Sequence, residues 1–147
     1  MTAYSESDLS LMTTRLYQAC GAALSIDAGV LSTPKALMAA LKTISSEIDS
    51  KSSMPLIGAL KTHLEKTDPP QDMPAAKDHE KLFGDLGTLA ADLRAKASPE
   101  EVAAFRDVVV GAVRAAVSAS GGGFTGLGAD VNDAERAFLE RIERSMN

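Results

Sequence analysis

The sequence has no tryptophan, and only 4% of its 147 residues are aromatic. A core must therefore be filled by Ala, Leu, Val, Ile and Met. That mix suits close-packed helices and suits a β-sandwich or barrel poorly. Cys20 is the single cysteine, which excludes an internal disulfide and points to a reducing, cytoplasmic setting. No Cys-x-x-Cys, His-x-x-x-His or Glu-x-x-His spacing occurs. Neither a structural zinc site nor a ferritin-like di-iron site is expected. Basic runs are missing as well. The net charge is −5, and Arg136, Arg141 and Arg144 interleave with Glu135, Glu140 and Glu143. That run reads as a solvated helix face, and no nucleic-acid partner is expected. Long apolar runs are also absent. The stretch 108–129 is broken by Arg114 and by glycines from Gly121 onward, short of the roughly 20 residues a membrane span needs. Glu6 and Asp8 stand where a signal peptide would carry positive charge.

What the chain does have is helical periodicity, and one domain over 1–147 is expected. A first helix is predicted from about Ser7 to Ile26, capped by Ser7, with Leu9, Met12, Leu16, Ala19 and Ala23 on one face. A second is predicted after Ser32 and Pro34, with the stripe Leu37, Met38, Leu41, Ile44 and Ile48. A third starts near Pro55 and stops before Asp68-Pro69-Pro70. A fourth is predicted over about Ala75 to Ala97, where Gly84 and Gly87 weaken it or admit a close neighbour. Ser98-Pro99-Glu100-Glu101 is a capping-box start for a fifth helix over about 99–120. That helix is apolar nearly all round and should be central. A last helix carries Phe138, Leu139, Ile142 and Met146 on one face. The expected fold is all-α: a compact bundle of about six helices around the apolar helix 99–120.

Two places share a pattern, and each reads as an αα-hairpin. One runs from Ala22-Ala23-Leu24-Ser25 through Gly29 to Leu31-Ser32-Thr33-Pro34-Lys35. The other runs from Ala115-Ala116-Val117-Ser118 through a glycine turn to Val131-Asn132-Asp133-Ala134-Glu135. This arrangement resembles the tellurite-resistance TerB-like family of small bacterial all-α proteins. The resemblance implies a non-catalytic role in stress or metal resistance and a divalent cation held at Asp27, Asp130 and Asp133. Asp27 matches the family pattern. Lys35 replaces an expected acid, Gly121-Gly122 stands in for Asp-Gly, and residues 123–130 lengthen the second turn.

Taken without the resemblance, the acidic positions read first as helix caps and dipole partners. The Gly121–Gly126 run fits G-x-G-x-x-G formally, but a helix precedes it where a dinucleotide site needs a strand. It reads as a connector, in which Phe124 and Leu127 either tuck onto the core or form a partner-binding patch. Cys20 reads as a buried thiol, and no nucleophile–base motif points to an enzyme. Function is left between a TerB-like cation- or partner-binding domain and a homodimeric interaction module, with a small-ligand binder whose pocket the fifth helix lines as a third reading.

Overall fold

The computed structural model describes residues 4–24, 34–67, 78–120 and 133–146; the side chains of 24, 34–37, 117–120 and 133–135 are outside that description. Six helices form among the described residues, with no strand between them. They are α1 (Glu6–Leu24), α2 (Pro34–Lys51), α3 (Pro55–Lys66), α4 (His79–Arg94), α5 (Pro99–Ser120) and α6 (Asp133–Ser145).

The helix starts show how local chemistry sets the boundaries. The Ser5 hydroxyl accepts from Asp8 N–H at 3.1 Å, and the Asp8 carboxylate accepts from Ser5 N–H at 3.2 Å. The cap of α1 is therefore Ser5, not Ser7, because only Ser5 has an acid three residues on to reciprocate. Asp78 sits in extended backbone and accepts from Lys81 N–H at 3.0 Å, so α4 begins at His79, later than the periodicity implied. Ser98 and Glu101 form the expected box: Ser98 Oγ accepts from Glu101 N–H at 3.2 Å, and Glu101 Oε1 accepts from Ser98 N–H at 3.0 Å.

Helix α3 has Met54 before it and no side-chain cap of its own. Its orphan Leu56 N–H is met by Glu101 Oε2 at 2.7 Å, across 45 residues of sequence. One carboxylate thus closes the N-termini of both α3 and α5. Burial pushes the Glu101 carboxyl up, and the N–H groups of Ser98 and Leu56 more than offset that, leaving it below its ordinary value.

Helix α5 is central, as the apolar pattern predicts: it touches each of the other five helices. Phe105, Val108, Val109, Ala112 and Val113 on it are at most 1% exposed. Its broadest contact is with α2. The nearest atoms to a Cβ on Gly111 of α5 would be those of the Thr43 and Glu47 side chains, at 3.6 Å and beyond. Of the two helix pairs that share the sequence pattern, α5 and α6 touch each other, whereas α1 and α2 meet mainly through α5.

The apolar face of α6 is spent internally. Phe138, Leu139, Ile142 and Met146 are all buried, and Phe83 of α4 packs on Phe138 at 5.3 Å between ring centres. Arg141 lies 4.5 Å over the Phe83 ring and pairs with Glu80 at 3.0 Å. Arg94 donates to the Met146 carbonyl at 2.7 Å, satisfying the end of α6. A Cβ on Gly87 would stand 3.1 Å from the Ser145 carbonyl, so this glycine does admit a close neighbour. Gly84 has nothing within 4 Å and serves no such purpose.

Candidate functional site

An apolar opening lies between α2 and α3. It is a groove of about 670 Å³, a size typical of binding sites. Ile44 and Ile48 of α2, 3% and 2% exposed, belong to the core and form its base together with the half-buried Tyr17 of α1. Met38, Ala39 and Leu41 extend the α2 wall, and Leu64 extends the α3 wall. Met38 is 65% exposed, the most exposed large apolar side chain among the described residues. Burial, with a smaller push from Cys20, raises the Tyr17 hydroxyl above its ordinary value, so it stays a neutral phenol at the base.

The rim of the groove is charged. Asp49 and Lys61 are the lining residues nearest the turn that joins the helices, and they pair across it at 3.2 Å. Farther from the turn stand Lys42 on α2 and Glu65 on α3, both exposed and neither ion-paired among the described residues. Ser45 and Thr67 add hydroxyls. The walls are therefore apolar inside and carry opposite charges that have no ion-pair partner among the described residues.

A second, more polar cleft of about 540 Å³ lies where α1, α3 and α5 begin or end. His63 is buried there at 7% exposure, and its Nδ1 lies 3.0 Å from Glu6 Oε2. Tyr4 donates to Glu101 at 3.4 Å, and Thr62 donates its hydroxyl to the Gly58 carbonyl at 3.1 Å. The Tyr4–Glu101 and Glu6–His63 contacts join separate segments of the chain, whereas Thr62 bonds within α3. Glu101 is spent on two N-termini and Thr62 on its own helix. The His63–Glu6 pair tethers α1 to α3.

The residues singled out from the sequence fall mostly elsewhere. Asp27, Phe124, Leu127 and Asp130 lie outside the described residues, and Asp133 is described only as the first residue of α6. Among the described residues no group of three or more His, Cys, Asp or Glu side chains could hold a metal ion. Cys20 is fully buried, and burial pushes its thiol up to about 12, so it is inert at neutral pH. No helix among the described residues is long and apolar enough to cross a membrane.

The chain matches no family model, no curated protein and no solved structure.

Sequence reasoning placed Met38 and Leu41 in the core stripe of α2 and did not see the groove. The available signal was the adjacency of Leu37 and Met38. Neighbours on a helix point about 100° apart, so a stripe that includes both is wider than one packing partner covers.

Proposed function

We propose that this chain is a non-catalytic, cytoplasmic protein-interaction module whose α2–α3 groove receives the apolar face of a helical segment from another polypeptide. The observation that carries this reading is the groove itself: an apolar slot with Met38 65% exposed at its lip. Exposed contiguous apolar surface of this kind marks interaction sites. Two helices form the walls, and a third helix laid between them completes ridge-into-groove packing on both sides. Methionine suits such a wall because its unbranched, polarisable side chain repacks around different partners. The apolar faces of α4 and α6, by contrast, are covered by the fold.

The test is binding of labelled amphipathic helical peptides to the whole chain, with Ala39→Trp as a groove-filling variant. Ala39 lines the groove and is only partly buried. The variant should unfold at nearly the wild-type temperature while losing peptide binding. Binding that survives Ala39→Trp unchanged would overturn the reading.

A further inference from the structure

Resting on that reading, we infer that the groove selects a partner helix with acidic residues along one flank and basic residues along the other. The groove presents Lys42 on its α2 lip and Glu65 on its α3 lip. These are opposite charges on opposite walls, yet they do not pair with each other, whereas Asp49 and Lys61 nearer the turn do. The inner pair cancels itself. The outer two line the groove with no ion-pair partner among the described residues.

A guest with a single charged head satisfies one lip and leaves the other beside a like charge or without a partner. A helix carrying an acid toward Lys42 and a base toward Glu65 satisfies both at once. Its apolar side chains at i, i+3, i+4 and i+7 would meet Met38, Leu41, Ile48 and Leu64. Since both lips are exposed, these pairs contribute selection more than affinity.

The experiment titrates the whole chain with three labelled peptides that share one apolar stripe of Leu and Met. The first has Glu on one flank and Lys on the other, the second Glu on both, the third Lys on both. The first should bind about fivefold more tightly than either of the others at physiological salt. Lys42→Glu makes both lips acidic and should move the preference to the Lys-flanked peptide. Glu65→Lys makes both basic and should move it to the Glu-flanked peptide. The chain's net charge of −5 attracts any basic peptide at long range. Glu140→Lys, exposed on α6 and away from the groove, is therefore the control: it changes net charge as Glu65→Lys does and should leave the preference unchanged.

If the peptides bind equally and Ala39→Trp abolishes all of them, the groove reading stands and the charge selection is overturned. If no peptide binds, or Ala39→Trp has no effect on binding, both are overturned. A concentration-dependent dimer lost in Ala39→Trp would make a second copy the occupant and overturn the inference. Groove binding of a dodecyl amphiphile without binding of any peptide would overturn it too.

Discussion

Removing the Glu101 carboxylate should destabilise two helices at once. In Glu101→Ala the capping box of α5 loses its reciprocal half, and Leu56 N–H of α3 loses its acceptor. A lost N-cap interaction costs about 1 kcal/mol. A part-buried donor left without a partner costs about 1 to 2 kcal/mol. The sum is about 2 to 3 kcal/mol, or roughly 5 to 10 °C in midpoint for a domain of this size. Ser98→Ala removes only the other half of the α5 box and should cost about 1 kcal/mol. Glu101→Gln should fall between, because one of its two terminal atoms becomes a donor and faces an N–H. The assay is thermal and urea unfolding of the three variants and of the Ser98→Ala/Glu101→Ala pair. In the Ser98→Ala background, Glu101→Ala should still cost more than 1 kcal/mol, about the part owed to α3. If Glu101→Ala costs no more than Ser98→Ala, the bond to Leu56 contributes nothing and the double-cap account is wrong.

Three further outcomes follow from the packing and the charges. Gly84→Ala should stabilise by up to about 1 kcal/mol, since it improves helix propensity in open space. Gly87→Ala should gain clearly less, because its Cβ meets the Ser145 carbonyl at 3.1 Å; equal gains in unfolding midpoint would mean that the end of α6 is not held there. Asp8 is held below its ordinary 3.8, by Lys96 first of all, and Glu101 below its ordinary 4.5. Depressed carboxylates give their full stability above those ordinary values and lose it as pH falls through the lower folded ones. Stability should therefore hold down to about pH 5 and then fall, with a shallower acid limb in Glu101→Gln; a limb of unchanged slope in that variant would count against it. Cys20, fully buried and pushed up to about 12, should react with a thiol reagent only as fast as the chain opens. Stoichiometric labelling within mixing time would refute the burial.

The features legible in the sequence were those carried by short spacings. The fifth helix, expected over about 99–120, spans Pro99–Ser120, because its start signal is complete within four positions and its apolar residues cover the helix on most sides. Gly87 was half legible: glycine in a helix announces a close approach or a weakness, and only the neighbour decides which. The start of α3 was placed correctly by Pro55, but its cap was not foreseeable, since Met54 offers no acceptor and the donor's partner lies 45 residues away. The His63–Glu6 tether, 57 residues apart, was out of reach for the same reason.

The groove escaped for a different reason, and that reason bears on how such sites arise. Periodicity identifies which residues are apolar on a helix face; it does not say how much of that face the other helices cover. Helix α2 spends Ala40, Ile44 and Ile48 on the core, and all are at most 3% exposed. Met38 and Leu41 lie to the side of that strip, where α3 does not close over them. Covering them would have required α3 to lie flush along α2, and the Lys61–Asp49 bridge joins the two near their turn while Lys42 and Glu65 remain apart farther out. The same helix pair thus closes the core at one end and leaves an apolar, charge-edged slot at the other. Lengthening the contact by a Lys42–Glu65 bridge would stabilise the free chain slightly, and it would remove the two charges on which the proposed selection of a guest helix rests.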